Sequence, residues 1–471
     1  MALPDRTRTL LTPLVLALAL LGGCVNLAPD YQRPAAPVAS QWPTSPGQGA
    51  TGNAADMGWQ QFFLEPRLQQ VVELALNNNR DLRVAALNID KARATYRIQD
   101  AERYPAISAS ASNTRERTVT SAGTTTGGSQ SVQVGFSSYE LDFFGRLRNL
   151  SDASLQDYFA LQETQRSTQI SLVAEVANAW LTLAADRQHL ALAQETYQSQ
   201  QVSYGLLERS HALGGQSGLE LAQQQSAVQS ARVDVASYTA SVQQDRNTLE
   251  LLLGTPLPDH LLPERQTPGS VAQLLEVPAQ LPSSVLQQRP DVLAAEHTLQ
   301  AANADIGAAR AAFFPSITLT AQAGTASTSL SGLFSGGSGV WSFSPAINLP
   351  IFNAGSNQAS LDAAKTERDI QLATYEKAIQ TAFKEVADAL AQRSTLAEQL
   401  AAQQALTDAT QKSYSLSQAL FNAGAKGYLD VLDSQRSLYS AQQDLITLGL
   451  SEQSNRISLY KVLGGGWKAS S

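Results

Sequence analysis

The side chain with the clearest chemical role in this sequence is the thiol of Cys24, which ends the tetrapeptide LGGC at residues 21–24. It follows an apolar run that begins at Leu10, and a run of about a dozen residues is typical of a signal peptide rather than of a membrane span. As the sequence has 1 cysteine, an internal disulfide is excluded. The pattern predicts a lipoprotein signal over residues 1–23 and a diacylglycerol and an N-acyl chain on Cys24. An incidental free thiol is the alternative. Val25 in place of aspartate favours the outer membrane.

Few residues suit catalysis or metal binding. The 4 histidines do not have the spacing of metal ligands: His189, His211, His260 and His297. His189 and His211 fall on one predicted helix, roughly 33 Å apart at 1.5 Å per residue. We recognise no nucleophile motif and no phosphate-binding loop. The sequence therefore argues against an enzyme, and it predicts no metal and no cofactor other than the covalent lipid.

The composition indicates a polar surface with few charges. Charged residues are 16% of the chain, against about a quarter in typical globular proteins. The formal net charge is −8 and no basic stripe is visible, which argues against nucleic acid as a partner. After Cys24, no apolar run reaches the roughly 18 residues that a membrane helix needs. If the mature chain crosses a membrane, it must do so with strands.

The sequence repeats itself at an interval of 210 residues, as Tyr104-Pro105 and Phe314-Pro315 illustrate. The register holds without a gap from about residue 81 to 254 against 291 to 464. Such a length predicts a tandem duplication. The predicted division is a signal peptide (1–23), an extended N-terminal segment with the lipid anchor (24–62), a first repeat (63–254), a linker (255–284), a second repeat (285–465) and a tail (466–471).

Each repeat has the same predicted order of elements. A first helix precedes two strands that a Gly/Ser/Thr loop joins, and two long helices then form a hairpin around a glycine turn. The linker is predicted to be a loop with at most one short helix, near Val271 to Leu275. The predicted bounds are helices at about 81–103 and 291–313, strands at 106–117, 131–143, 316–327 and 340–352, loops at 121–129 and 329–339, and long helices that end near 211, 254, 421 and 463.

The long helices carry an apolar heptad, which indicates helices that coil around one another. A helix of about 65 residues spans on the order of 100 Å at 1.5 Å per residue. The fold class is therefore predicted as mainly α with a small β part. The residues of this heptad are Val176, Leu183, Leu190, Tyr197 and Tyr204 in the first repeat, and Leu432, Tyr439, Ile446 and Tyr460, with Gln453 interrupting, in the second.

The predicted strands have one polar and one apolar face. In SITLTAQAG, residues 316–324, polar and apolar side chains alternate strictly. A soluble sandwich would have a thin core, whereas a membrane barrel would place lipid on the apolar face. Four strands are too few to enclose a pore, so a barrel shared by three copies is favoured, with the helices continuing as a tube. Aromatic residues where strands meet helices suit a membrane-boundary belt: Tyr104, Phe143, Phe144, Phe313, Phe314 and Phe352.

Several motifs resemble the TolC-like outer-membrane factors, and more closely the lipoprotein channels of the OprM type in tripartite multidrug efflux pumps. The resemblance covers nearly the whole mature chain. The motifs are LGGC with PDYQRP (29–34), NNRDLRVAALN (78–88), ELDFFGRLR (140–148), RPDVLAAEH (289–297, from Arg289), AANADIGAARAAFFPSI (301–317), INLPIFNAGS (347–356), KAIQTAFKEVADAL (377–390) and YKVLGGGW (460–467).

The resemblance implies a homotrimer with a 12-stranded barrel in the outer membrane lipid and a helical barrel across the periplasm. It also implies two protein partners, a periplasmic adaptor (membrane fusion) protein and an inner-membrane transporter of the RND class that supplies the energy. The function implied is a passive exit duct for drugs or solvents. A channel for type I protein secretion shares this fold and is the alternative.

The resemblance further implies a periplasmic gate, which matches Leu429, Asp430 and Asp433 within KGYLDVLDSQRS, residues 426–437. Positions three and four apart share a helix face. In a trimer, each position forms a ring of three, so the two aspartates would present up to six carboxylates to a narrow hole. Negative charge also suits a helix N-terminus, and this plain structural role is the alternative.

Lys426 and Glu220 match a family pair that holds the gate shut, and they are the predicted lock. Lysine here replaces the family's arginine, which loses a bidentate geometry. The predicted adaptor contacts lie in two aligned turns, where Gly214 and Gly424 permit the reversal. The residues of these turns are Leu213, Gly214, Gly215, Ala423, Gly424 and Ala425. A periplasmic adaptor is a poorer interpretation of the chain, because an adaptor would not carry two hairpins and four amphipathic strands.

Overall fold

The computed structural model describes residues 25–42, 57–121, 123–264, 274 and 283–466. The predicted signal peptide and Cys24 lie outside these residues. So does the predicted short helix near Val271, apart from Leu274, which forms an isolated antiparallel bridge with Phe63.

Eight α-helices lie in the described part of the chain. Two of them are 67 residues long, close to the length that the heptad pattern predicts. They are α1 (Trp59–Phe62), α2 (Pro66–Asn78), α3 (Arg80–Ala101), α4 (Arg146–Ala212), α5 (Gly218–Leu253), α6 (Pro290–Ala311), α7 (Ser356–Asn422) and α8 (Tyr428–Val462).

Four antiparallel strands form one sheet in the order β1-β2-β3-β4. They are β1 (Ser108–Thr120), β2 (Gly123–Leu141), β3 (Ser316–Ser327) and β4 (Gly339–Asn348). Between β2 and β3, Gly135 and Gly324 permit a very close approach, since a Cβ at either would lie 2.0 Å from a carbonyl oxygen of the opposite strand. A bulge follows between Phe136 and Tyr139, where Ser138 adopts a φ of 56°.

The helices repeat at the interval seen in the sequence. Helix α6 begins and ends 210 residues after α3, and α7 begins and ends 210 residues after α4. Helix α8 begins 210 residues after α5. Glycine ends α5 because Gly254 has a φ of 67°, in the left-handed region. The predicted strand at 316–327 has these bounds in the structure.

The predicted loop at 121–129 is wrong. Strand β2 begins at Gly123 and pairs residue by residue with β1, so that Thr120 lies opposite Gly123. The prediction treated the glycines and serines of SAGTTTGGS as a signal for a turn. Its three threonines are β-branched and favour strands, and residues 123–129 pair with β1.

The sheet is open at both edges, since β1 and β4 have one neighbour each. Strand β4 is exposed at all of its positions, including Trp341 with 81% of its surface exposed. Ile351 and Phe352, just beyond β4, are 93% and 87% exposed. Large apolar side chains rarely cluster on a water-facing surface, so this side of the chain requires a cover.

The chain divides into two compact units, and each draws on both repeats. We call residues 1–35, 88–162 and 294–375 the strand unit, and residues 36–87, 163–293 and 376–471 the hairpin unit.

In the strand unit, the helical segments contact one another in a defined order. Ser151 of α4 donates a hydrogen bond to Asp100 of α3 at 3.2 Å. Ala153 of α4 packs with Ala301 and Ala304 of α6, where small side chains bring the helices close. The amide of Asn357 in α7 donates to the Ala312 carbonyl, just past α6, at 2.7 Å.

These contacts connect α3 to α4, α4 to α6, and α6 to α7. Helix α3 has no buried residue along its length, so it lies at one edge of this layer.

The hairpin unit contains most of the largest buried side chains; Tyr375 of the strand unit is the exception. The rings of Phe62 and Tyr460 stack with centroids 4.0 Å apart, and the indole of Trp180 donates to the Leu261 carbonyl at 3.1 Å. The heptad prediction is confirmed at Val176 and Ile446, both of which are buried. Within the described residues, none of the helices has the length and hydropathy for crossing a membrane.

Candidate functional site at the hairpin turns

The two helical hairpins reverse through turns of the same geometry. Gly214 and Gly424 have φ values of 77° and 71°, a left-handed conformation that favours glycine. In the first turn, Gly215 donates to the Ser210 carbonyl at 2.8 Å, and the equivalent bond in the second turn, from Ala425 to Leu420, is 2.9 Å. This pattern satisfies the last carbonyls of α4 and α7.

The predicted adaptor-contact residues therefore lie together in two exposed turns of the hairpin unit. Leu213 is 88% exposed, which is unusual for a leucine and leaves its side chain available to a partner. The contact itself remains a prediction.

The predicted gate residues lie on the exposed face at the start of α8. Leu429, Asp430 and Asp433 are exposed, whereas Val431 and Leu432 between them are buried. Packing of the buried pair therefore sets the direction in which the two carboxylates point. Their role as a gate stays a prediction.

The equivalent helix starts differ in how they are capped. At the start of α5, Ser217 and Glu220 form a reciprocal capping box. Gly427 occupies the position of Ser217 before α8, and it has no side chain to cap the helix. Asp430, the repeat counterpart of Glu220, is thereby free of a capping partner and lies half-exposed.

Lys426 and Glu220, the predicted lock, do not form an ion pair with each other. Lys426 Nζ lies 3.3 Å from Asp430 Oδ1, one helical turn away on its own hairpin. Glu220 Oε2 accepts hydrogen bonds from the amide and the hydroxyl of Ser217, both at 3.0 Å. Each partner thus has a local contact, and the lock stays a prediction.

An apolar cluster holds the two hairpins together near their turns. Leu207, Ala227, Tyr428, Val431 and Leu432 form its buried part. Burial raises the pKa of Tyr428, whose phenol is thus neutral at physiological pH. A cavity of about 250 Å³ adjoins the cluster, lined by Leu206, Ser210, Tyr414, Phe421 and others.

Two hydrogen bonds join the repeats farther from the turns. Tyr439 of α8 donates to Asp234 of α5 at 3.1 Å, and the amide of Gln443 donates to the Tyr238 hydroxyl at 3.1 Å. We call these four residues the cross-repeat latch. Towards the turns, the latch borders a cavity of about 240 Å³ lined mainly by small and polar side chains, among them Ser230.

A cluster of titratable groups adjoins Tyr238 of the latch. The ring of His189 stacks on that of Tyr238 with centroids 5.0 Å apart and 7° between planes. Burial lowers the pKa of His189, which favours the neutral ring. Burial and the neighbouring Asp186 raise the pKa of Asp245 to about 6. Asp245 Oδ2 is buried without a hydrogen-bond partner among the described residues.

Sequence reasoning missed the latch and this cluster. Tyr439 was placed on the heptad stripe as a packing residue, and the acids of α5 were not singled out. A usable signal was present, since Asp245 occupies the position whose repeat counterpart is the neutral Asn455. Among the described residues, no group of three or more His, Cys, Asp or Glu side chains could hold a metal ion.

A family model described as "Outer membrane efflux protein" matches residues 71–255 and 281–465, one match per repeat. Together the two matches cover well over half of the chain. This chain belongs to the outer membrane efflux protein family. Membership places this efflux protein in the outer membrane, as a component of a transport system.

Curated relatives align along nearly the whole efflux protein. The "Probable efflux pump outer membrane protein TtgC" of Pseudomonas putida is 51% identical over 98% of this chain and 96% of the relative. The "Cation efflux system protein CusC" of Escherichia coli is 45% identical over 97% of this chain and 99% of the relative.

Solved structures confirm the TolC-like fold that the motifs predict. The open state of the MtrE outer membrane channel of Neisseria gonorrhoeae superimposes with a TM-score of 0.88 at 38% identity, covering 94% of this chain and 99% of that one. CusC superimposes with a TM-score of 0.84 at 44% identity, covering 94% and 100%.

Proposed function

We propose that three copies of this efflux protein form a passive exit duct through the outer membrane. A periplasmic adaptor and an inner-membrane transporter of the RND class would complete the pump and supply the energy. The observation that carries the proposal is the open sheet, whose edge strand β4 is exposed along its whole length. In lipid, an open edge leaves backbone groups unsatisfied, so the sheet requires further strands.

The strand unit supports closure by identical copies. Its sheet ends in β1 and β4, and the helical layer ends in α3 and α7, so the two edges of each layer differ. Copies that join through unlike edges form a ring if the rotation closes. With 4 strands per chain, three copies give twelve strands, which is within the range of outer-membrane barrels.

We propose that the barrel meets the membrane boundary at the aromatic residues between strands and helices. Phe144 and Phe314 stack with centroids 4.6 Å apart, and Tyr104 is exposed beside the strands. Aromatic side chains concentrate at this depth of a bilayer. A lipid on Cys24 would add an anchor to the same leaflet.

We propose that the turns form the periplasmic end, where rings of Asp430 and Asp433 would select for cations and Leu429 would narrow the opening. The relatives' names refer to toluene, solvent, antibiotic and cation efflux. Small organic molecules are therefore the proposed cargo, which the duct conducts without chemical change. These names favour efflux over protein secretion.

The test is the mass of the purified, lipidated protein in detergent together with its conductance in a planar bilayer. A trimer with a small, cation-selective conductance is the expected result. A monomer that never conducts would reject the duct.

A further inference from the structure

The N-terminal residues 25–33, which we call the strap, lie against one face of α6. From the end of α6 backwards, the guanidinium of Arg310 donates to the Leu27 carbonyl at 2.9 Å, and the amide of Asn303 donates to the Pro29 carbonyl at 2.7 Å. These bonds bind the strap through its backbone. The strap therefore runs antiparallel to α6.

A buried carboxylate ends this series of contacts. The side chain of Glu296 is 5% exposed. Its two carboxylate oxygens accept hydrogen bonds from Arg33 Nε and Arg33 Nη2, both at 2.7 Å. The Tyr31 hydroxyl also donates to Glu296, at 3.2 Å. A bidentate pair of this kind is among the stronger side-chain hydrogen bonds, and it fixes the position of the strap along α6.

Glycine lets the strap approach the helix. A Cβ at Gly307 would lie 2.7 Å from the Ala28 nitrogen and 2.4 Å from Asn149 Nδ2, distances that side chains do not tolerate. The repeat counterparts of Glu296, Asn303, Gly307 and Arg310 are Ala86, Arg93, Arg97 and Asp100 of α3. These residue types could not form the same contacts, so the strap has one receptor face.

The lengths of strap and receptor match. The six steps along the chain from Leu27 to Arg33 span about 20 Å when extended, and the fourteen helical steps from Glu296 to Arg310 span about 21 Å. The strap thus spans this face of α6, with one bend at Ala28, where the amide donates to Asn26 Oδ1 at 3.0 Å. At its start, Val25 donates its amide hydrogen to the Phe143 carbonyl at 3.2 Å, next to the aromatic residues.

We propose that the face of α6 formed by Glu296, Asn303, Gly307 and Arg310 is a receptor that holds the strap independently of the lipid and sets the depth at which the lipid of Cys24 enters the membrane. The second part rests on the proposed function, because it assumes the lipid and the barrel. It accounts for the motifs PDYQRP and AANADIGAAR, which the duct and the gate leave unexplained.

The first experiment is limited proteolysis of the full-length protein with proteinase K, followed by mass determination of the N-terminus. We expect protection of residues 25–33 in the wild type and equally in Cys24→Ser. We expect cleavage in Gly307→Ala and in Arg33→Gln, although alanine favours the helix itself. Arg97→Ala, at the position on α3 that corresponds to Gly307, is the matched control and keeps the strap protected. Cleavage in Cys24→Ser, or protection in Gly307→Ala, would overturn the receptor.

The second experiment removes Val25 and Asn26, which shortens the lipid's tether by about 7 Å. We expect a several-fold loss of detergent-resistant oligomer in the membrane, and recovery when Cys24→Ser is added. A loss with and without the lipid, or no loss, would overturn the depth-setting role. The conductance of Cys24→Ser is measured alongside, since a duct that fails there rejects the proposed function and leaves the proteolysis result standing.

Discussion

Tyr439 of the second repeat donates a hydrogen bond to Asp234 of the first, across 3.1 Å and 205 residues of sequence. Together with the bond from Gln443 to Tyr238 it joins α8 to α5. The cavity of about 240 Å³ beside it leaves α8 loosely packed on the side of the turns. The latch is therefore placed to restrain α8, which begins with the predicted gate residues.

Tyr439→Phe removes this hydrogen bond and retains the ring. A hydrogen bond to a charged acceptor contributes about 1.5 kcal/mol, so its loss should shift the ratio of closed to open duct by roughly tenfold. We expect a higher single-channel conductance and greater uptake of a large antibiotic. Tyr204→Phe is the matched control, because the Tyr204 hydroxyl faces Glu208 on its own helix. Equal conductance of the two variants would contradict a role of the latch in gating.

Asp430→Asn and Asp433→Asn should each reduce cation selectivity, and the double variant should reduce it further. The physical reason is that carboxylates on an exposed helix face attract cations when copies bring them together. The reversal potential in a salt gradient measures this selectivity. Asp388→Asn is the control, since Asp388 is exposed on α7 and pairs locally with Lys384. Unchanged reversal potentials in the double variant would remove the acidic ring from the mechanism.

The lock between Lys426 and Glu220 can be separated from helix capping. Glu220→Ala would remove the carboxylate half of the capping box and weaken the start of α5, whatever the gate does. Glu220→Gln keeps the capping geometry and removes the charge. If the lock forms in the closed duct, Glu220→Gln and Lys426→Met should raise conductance alike, and the double variant should add nothing. Additive effects, or none, would contradict a direct pair.

Asp245 should make the stability of the hairpin unit depend on pH. Its folded pKa of about 6 lies above 3.8, the ordinary pKa of an aspartate, so the folded state binds the proton more tightly. Protonation of Asp245 therefore increases the free energy of unfolding as the pH falls through about 6. Above that pH this contribution is absent. Asp245→Asn should raise the unfolding temperature at pH 7.5 and have little effect near pH 4. Asparagine stands at the repeat counterpart, Asn455, whose amide donates to the Ala389 carbonyl and to Gln392 Oε1 at 3.0 and 3.1 Å.

The measurement is the difference in unfolding temperature between wild type and Asp245→Asn across pH, which cancels the other titrating groups. Asp444→Asn, on exposed α8 surface, serves as the control. A difference that does not vary with pH would assign the effect of Asp245 to packing.

Much of the fold was predictable because its signals are local. The alternation in SITLTAQAG predicted the strand at 316–327, and the heptad predicted the long helices to within a few residues. Prolines and glycines marked their ends. The loop at 121–129 was wrong because the pairing of its threonines with β1 is a non-local gain that composition does not display.

The candidate site was only partly predictable. Resemblance identified Asp430 and Asp433, and the repeat aligned Asp430 with Glu220. Sequence reasoning missed the local partners of these side chains: Glu220 contacts Ser217, and Lys426 contacts Asp430. Both are local patterns, a capping box and a pair four residues apart, which could have been read from the sequence.

The sequence by itself determined the elements, their repetition and the faces that they bury, since periodicity depends on neighbours along the chain. The tertiary structure alone decided which distant side chains meet. Arg33 finds Glu296 across 263 residues, and Tyr439 finds Asp234 across 205. Such contacts have no period, because they depend on how packed helices bring unrelated parts of the chain to the same place.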